Sequence, residues 1–494
     1  MDLTVLFFLA SGLFLGWSLG ANDAANVFGT AVGTRMVRFR TAAIVCGVFV
    51  VLGAVLSGAG AAHTLGQLGS VNALPGSFMA ALAAALTVYL MTKAGLPVST
   101  TQAIVGAIIG WNLFSGSATD TGALLKIIAT WVVCPIIAGL IAVLVYRLAK
   151  WSIQRARLHL LRQDAYTRVA LILAGAFGAY SLGANNIANV MGVFVDVSPF
   201  TDFSVAGMVH LSSVEQLFLL GGLAIAVGVF TYSKRVMLTV GAGLFPMSPV
   251  AAWVVVVAHA IVLFAFASQG LEHLLAQAGL PTIPLVPVSS SQAVVGAVVG
   301  LGLMRGGRDV DWRMLANIAG GWVTTPIVSG LVCFVALFFL QNVFNQQVYR
   351  EVHFELPRAA LSRVTEDPAT ARKLEPMIGK EYRSARAFIA ALDDVAQLDG
   401  AELDRALEYA ELDNLKVGRR GIAKLDRHWL SAAQIQAVER LAGRRFRYGW
   451  RFAEALARGS PEWRLRPRKK LNRLYNKQIE DKLRYVARLF TGAH

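Results

Sequence analysis

The stretch GANDAANVFGT, residues 20–30, comes directly after nineteen residues that read as a membrane helix. It places Asn22, Asp23 and Asn26 between Gly20 and Gly29, at a depth where hydrocarbon is the solvent. A carboxylate at the bilayer midplane costs several kcal/mol unless it is paired, and no Lys or Arg stands beside Asp23 in sequence. The run therefore has a partner to satisfy or a solute to serve.

Composition agrees with a membrane setting. The 494 residues are 55% apolar and 15% charged, with a mean hydropathy of +0.55, whereas soluble domains carry about 25% charged residues. The opening segment MDLTVLFFLASGLFLGWSLG lacks a basic start and a small-residue cleavage site, so it reads as a retained helix rather than a secretory signal. Cys46, Cys134 and Cys333 all sit in apolar stretches without a CxxC pattern and read as small core residues.

The motif returns. GANNIANVMGVFVD at residue 183 echoes GANDAANVFGTAVG at residue 20, and VPVSSSQAVVGAVVG at 286 echoes LPVSTTQAIVGAIIG at 96. WVTTP at 322 echoes WVVCP at 131. The offsets are 163, 190 and 191, so the order is kept and about 27 residues are inserted in the second half, expected around TYSKRVMLTVGAGLFPMSP.

Flanking charges orient the copies. Arg35, Arg38 and Arg40 follow the first motif, but only Asp196 and Asp202 follow the second. Asp120 marks the loop after the first hydroxyl motif, whereas Arg305, Arg308 and Arg313 mark its equivalent. Basic residues in short loops mark the cytoplasmic side, so equivalent loops face opposite sides and the repeats are inverted.

Apolar stretches near 3–34, 41–61, 76–92, 97–111 and 123–146 pair with 169–194, 205–229, 249–269, 287–303 and 315–341. Ten to twelve membrane segments follow, the short ones at the hydroxyl motifs being candidates for re-entrant segments. An odd number of crossings in the first half places both chain ends outside.

The expected fold is all-α: a polytopic membrane protein of two inverted-topology repeats, with broken helices at the centre and a helical soluble C-terminal domain. The expected divisions are membrane repeat 1 at 1–148, a basic cytoplasmic linker at 149–168, membrane repeat 2 at 169–344 and a basic helical domain at 345–494. Residues 351–494 hold 29 Lys/Arg and 20 Asp/Glu, against 17 and 10 before them, and that step marks the last boundary. Its basic run RLRPRKKLNR, 464–473, reads as a solvated helix start, and no nucleic-acid partner is expected.

Broken helices survive in a bilayer only where they line a protein cavity. Gly is expected to interrupt the helix at each GAN motif, and the Pro of each PVS run to open a first turn followed by hydroxyls. Paired half-helix starts in two inverted halves point to a central site for an anion. The bland alternative, hydrogen-bond glue between helices, suits one Ser or Asn better than four clusters repeated by symmetry. Glu215 and His210 are expected mid-helix, the Glu as a structural residue before a proton relay, and His259 as a satisfied interior histidine.

These repeated motifs, over residues 1–345, resemble the inorganic phosphate transporter family, whose signature is a duplicated GANDxAN plus a duplicated P-x-S-[TS]-T-H run, and KRVMLTVGAGLFPMSPVAA resembles it too. The resemblance implies secondary transport of phosphate coupled to Na+ or H+. It implies a site of Asn22, Asp23, Asn26, Ser99, Thr100 and Thr101 with Gln102, and a counterpart of Asn185, Asn189, Ser289, Ser290 and Ser291 with Asn186 and Gln292. Asp23 is the Na+ candidate, and no other cofactor is expected. Asn186 stands where the family has Asp, and Gln102 and Gln292 where it has His. Fewer carboxylates keep a sulfate permease on the same fold as the alternative. An anion channel and a transporter-derived sensor are the readings of a different class. The absence of HExxH, and of any His beside Asp23 in sequence, points away from an enzyme. The expected setting is the inner or plasma membrane of a prokaryote, in contact with lipid, and a homodimer is compatible with it.

Overall fold

The computed structural model describes all residues except 1–2, 70, 94–97, 157–158, 201–202, 206–208, 244–246, 308–309, 424, 426–429, 468–471 and 492–494. Pro97, Asp202, Arg308 and part of the basic run 464–473 lie outside the described residues.

The first half holds α1 (Leu3–Gly33), α2 (Phe39–Ser57), α3 (Ala59–Leu68), α4 (Leu74–Lys93), α5 (Thr100–Ser115) and α6 (Thr121–Ala156). The second opens with α7 (Leu160–Met191) and an antiparallel ribbon of β1 (Phe203–Val205) and β2 (Val209–Leu211). It continues with α8 (Ser213–Thr231), α9 (Ser233–Gly243), α10 (Pro249–Ala267), α11 (Gln269–Gln277), α12 (Ser290–Met304) and α13 (Trp312–Asn342).

Among the described residues, α1, α2, α4, α6, α7, α8, α10 and α13 are long and apolar enough to cross a bilayer. Ten segments are reached by adding α5 and α12, of 16 and 15 residues, the short pair at the hydroxyl motifs. Large apolar side chains on α6 and α13 stand exposed at four-residue steps, Val132, Ile136, Leu140 and Leu144 on one and Val323, Ile327 and Leu331 on the other. Such stripes suit lipid. Most of the polar motif residues are instead buried inside, and Asn22 and Asn26 are half-buried. This is a multi-pass membrane protein.

Neither GAN motif breaks its helix. Residues 20–30 are helical within α1, and 183–189 within α7. The glycines serve packing. A Cβ on Gly20 would lie 1.9 Å from the Ile225 carbonyl oxygen of α8, and one on Gly183 would lie 2.0 Å from that of Val50 in α2. Two helices approach backbone to backbone there, as small residues permit between membrane helices. The same exchange recurs at Gly53 against Tyr180 and Gly228 against Trp17, and again at Gly106 against Pro326 and Gly296 against Pro135. In every pair, equivalent positions swap halves.

These pairs also relocate the insertion. Gly20 and Gly183 are 163 apart, Gly53 and Gly228 are 175 apart, and Gly106 and Gly296 are 190 apart. The extra residues therefore enter in two places, before α8 at the β1–β2 ribbon and between α10 and α12 at α11. The segment around α9 has its counterpart in α3. Residues 149–168, expected as a linker, mostly belong to α6 and α7, and His159 caps α7 by accepting from Leu161 N–H. Glu215 is not mid-helix: it closes a capping box with Ser212 at the start of α8, and His210 lies on β2.

Two compact units divide the chain. One is Met1–Phe114, Thr119–Leu274 and Pro281–Tyr349; the other is Ser115–Ala118, Leu275–Leu280 and Arg350–His494. The second unit is helical with small ribbons. It contains β3 (Phe354–Glu355), α14 (Leu361–Val364), α15 (Pro368–Leu374), β4 (Glu381–Tyr382), α16 (Ala385–Val395) and α17 (Gly400–Ala410). Then come β5 (Leu415–Lys416), α18 (Arg419–Ala423), α19 (Ala432–Glu439), β6 (Arg445–Phe446), α20 (Gly449–Gly459) and α21 (Arg473–Phe490). β3 pairs with β4, and β5 with β6.

This unit is itself a tandem repeat, which the sequence reading missed. Gly379 and Gly443 both take positive φ (74° and 81°), and donate their N–H groups to Leu356 O and Val417 O. The Tyr382–Phe388 ring pair, 5.4 Å apart, recurs as Phe446–Phe452 at 5.3 Å. Half-buried Glu411, on the strand bridge to Phe354, is pushed up to about 7 by burial and by the nearby Asp413 and Glu408 charges.

Candidate functional site

The hydroxyl motifs start helices, but not through proline. Pro287 lies outside α12, and Ser289 is the N-cap, its Oγ accepting from Gln292 N–H at 3.2 Å. Ser99 does the same for Gln102 N–H of α5 at 3.3 Å. Serine caps because its short side chain reaches the third N–H of the helix. The N–H groups of Thr100 and Thr101, and of Ser290 and Ser291, have no acceptor within their own helices. Ser289 and Ser291 Oγ lie 3.0 Å apart.

The GAN helices meet these starts across the halves. From α1, Asn26 Nδ2 donates to Ser290 Oγ of α12 at 3.0 Å. From α7, Asn189 Nδ2 donates to Thr101 Oγ1 of α5 at 2.8 Å. Asn185 Oδ1 accepts from Val288 N–H at 3.1 Å, and Thr101 Oγ1 donates to Val288 O at 3.3 Å. The four motif segments thus form one cluster.

Their burial is nearly complete, with Asp23 at 3% exposure and Asn185 and Asn189 at 0%. Asn22 and Asn26 are half-buried. Asp23 Oδ1 accepts only long contacts, from Asn22 Nδ2 at 3.4 Å and Asn26 Nδ2 at 3.5 Å. No cationic side chain pairs with it among the described residues. Its counterpart Asn186 accepts from Asn189 Nδ2 at 2.9 Å, a neutral pair that runs on to Thr101.

Several buried polar atoms of the cluster have no partner among the described residues: Thr100 Oγ1, Gln102 Oε1, Asn185 Nδ2, Asn186 Nδ2, Asn189 Oδ1 and Gln292 Oε1. Buried polar groups are nearly always satisfied, so donors and acceptors concentrated in one place suit a polar solute. Asp23 brings the cluster's one carboxylate, a hard oxygen donor of the kind that a cation such as Na+ takes. Among the described residues no three His, Cys, Asp or Glu side chains gather into a transition-metal site.

One residue of the cluster was read from sequence as a bland interior group. His259, on α10, is fully buried, and its Nε2 lies 2.9 Å from Ser290 Oγ. Its Nδ1 has no partner among the described residues. A lone His in an apolar helix gives no sequence signal of what faces it.

The model of the phosphate transporter family matches residues 19–163 and 158–333. The chain belongs to the phosphate transporter family. That is a family of transporters, not an enzyme class. A protein of Thermococcus kodakarensis named "Putative phosphate permease" is 27% identical over 408 residues, covering 67% of this chain and 96% of its own length. Proteins bearing the same name from Methanocaldococcus jannaschii and Haemophilus influenzae are 26% and 22% identical, each covering 68% of this chain and 97% and 96% of their own lengths. The matches span about two thirds of the chain. A solved structure, the sodium-dependent phosphate transporter, is similar in fold with a TM-score of 0.52 and 24% identity, over 68% of this chain and all of that one.

Proposed function

We propose that the chain is a secondary active transporter of inorganic phosphate, driven by Na+ or H+, with the anion held at the starts of α5 and α12. The observation that carries this reading is the reciprocal pair of bonds from Asn26 to Ser290 and from Asn189 to Thr101. Each half lends its GAN helix to the other half's hydroxyl helix, so the binding groups of both converge on one buried cluster. Two helix N-termini, each with free N–H groups and a partial positive charge, attract an oxyanion without any Lys or Arg.

Asp23 has two tasks in this scheme. Ionised, it is a ligand for Na+ or an acceptor for a proton, and the coupled cation offsets its buried charge. It also distinguishes oxyanions, because phosphate near neutral pH carries a hydroxyl that donates to a carboxylate, and sulfate does not. The names of the similar permeases and of the similar solved structure favour phosphate and, for the structure, sodium. Asn186 favours the second reading, a sulfate permease, since an amide in place of the second carboxylate removes one acceptor for such a hydroxyl.

Purified protein in liposomes, offered labelled phosphate, sulfate and arsenate with Na+ and pH gradients varied separately, tests the proposal. Phosphate accumulation above equilibrium under one of the two gradients is the expected result. Uptake that only equilibrates would overturn coupled transport and leave a channel or an uncoupled carrier.

A further inference from the structure

His259 is joined to the motif cluster by a chain of hydrogen bonds whose polarity can be worked out atom by atom. Asp23 Oδ1 accepts from Asn26 Nδ2 at 3.5 Å, so the Asn26 amide presents its NH2 group on that side. The same NH2 donates to Ser290 Oγ at 3.0 Å. Ser290 then accepts from Asn26 and needs an acceptor for its own hydrogen. Among the described residues the polar neighbour left to it is His259 Nε2, at 2.9 Å. With the imidazole as the acceptor at Nε2, its hydrogen sits on Nδ1, which has no partner among the described residues.

We propose that His259 is a specificity-determining positioning residue. By taking the Ser290 hydroxyl hydrogen, it fixes the Asn26 amide with NH2 toward Ser290 and leaves Asn26 Oδ1 as an acceptor in the site. This rests on the transport reading above and deepens it. When Asp23 turns to a cation, its weak hold on the Asn26 amide is lost, and the Ser290–His259 bond is the constraint that remains. Without an acceptor at residue 259, the Ser290 hydrogen is free to swing to Asn26 Oδ1, and the amide flips. The site then gains a donor where it had an acceptor. That exchange favours an oxyanion without a hydroxyl over one that has a hydroxyl to donate. In the first half, the positions of α4 that correspond to His259 fall at Ala84 and Ala85, both buried, so this control acts on one half only.

The test compares sulfate competition against phosphate uptake in liposomes for wild type, H259L and H259Q. Leucine fills the space without an acceptor, whereas the Gln side-chain oxygen reaches about as far as imidazole Nε2. H259L is expected to lose about tenfold of its preference for phosphate over sulfate, the weight of one good hydrogen bond, and H259Q to recover most of it. A wild-type ratio in H259L overturns the inference, as does an equal loss in both variants. If wild type transports neither anion, the transport reading falls and takes this inference with it; if wild type transports and only the ratios fail to move, this inference falls alone. Should H259L not reach the membrane folded, H259M, apolar and without a nitrogen or oxygen acceptor, replaces it beside H259Q. H259M is expected to lose the preference and H259Q to keep most of it, and equal ratios in the two overturn the inference.

Discussion

Around α1 the buried motif carries a carboxylate, Asp23, and runs through Asn26 and Ser290 to His259; around α7 the equivalent motif carries only amides and runs from Asn186 through Asn189 to Thr101. The helices, glycine contacts and helix starts are duplicated, but the ionisable groups are not. Geometry has been kept twice and charge only once. Under the transport reading proposed above, a site with one carboxylate has one strong place for a cation, so the first half would serve charge and the second neutral hydrogen bonding.

The comparison assumes that the halves are inverted copies, and this is the assumption with an all-or-none test. Single cysteines in place of Asp120 and Arg308 are expected to react with a membrane-impermeant thiol reagent from opposite faces. Labelling from one face for both would end the inverted reading.

Next in size is Asp23→Asn, which makes the first motif as neutral as the second. Coupled uptake is expected to fall by about a hundredfold or more, in line with the 1.5–3 kcal/mol of a charged hydrogen bond plus the loss of the cation's ligand. The amount of folded protein should hold. Normal uptake with an unchanged ion dependence would reduce Asp23 to a structural residue.

Asn186→Asp runs the comparison in reverse. A second carboxylate is expected to raise the dependence on the cation and to move preference toward phosphate over sulfate by about tenfold. Sulfate competition at several Na+ concentrations reads both effects. If neither moves, Asn186 lies outside the site.

The smallest effect is a difference between two variants, and it sharpens the symmetry itself. Gly20→Ala and Gly183→Ala each force a Cβ onto a backbone oxygen, which costs at least the roughly 1–3 kcal/mol of ordinary core overpacking. Thermal unfolding of the two variants in detergent should shift down by similar amounts. A marked inequality would show that the two backbone contacts are not equivalent in energy.

The motif residues were legible because they pair an unusual chemistry with an unusual place, and because each cluster appears twice. Helix continuity was not. A Gly in a polar run reads as a break, yet Gly20 and Gly183 are spent on contacts with Ile225 and Val50, partners that sequence does not reveal. The insertion was misplaced for a related reason: two short additions at the β1–β2 ribbon and α11 leave one summed offset. His259 was invisible as a site residue because its significance lies in Ser290, thirty-one positions away. The tandem modules of the second unit share few identities, and their likeness rests on glycine conformation and ring pairs.

The glycine contacts also decide which parts of the molecule are mechanically single. Sliding of packed helices relies on a cushion of side chains that can re-pack in small steps. Where the carbonyl oxygen of Ile225 occupies the space of a Cβ at Gly20, no cushion exists, and the same holds at Gly183, Gly53 and Gly228. α1 is therefore clamped to α8, and α2 to α7, each clamp joining one sequence half to the other. On this packing, the repeated halves of the sequence are not expected to move as the two rigid units. Any rearrangement that opens the cluster to one side of the membrane has to turn cross-half helix pairs as bodies, with the bending left to the connections between them.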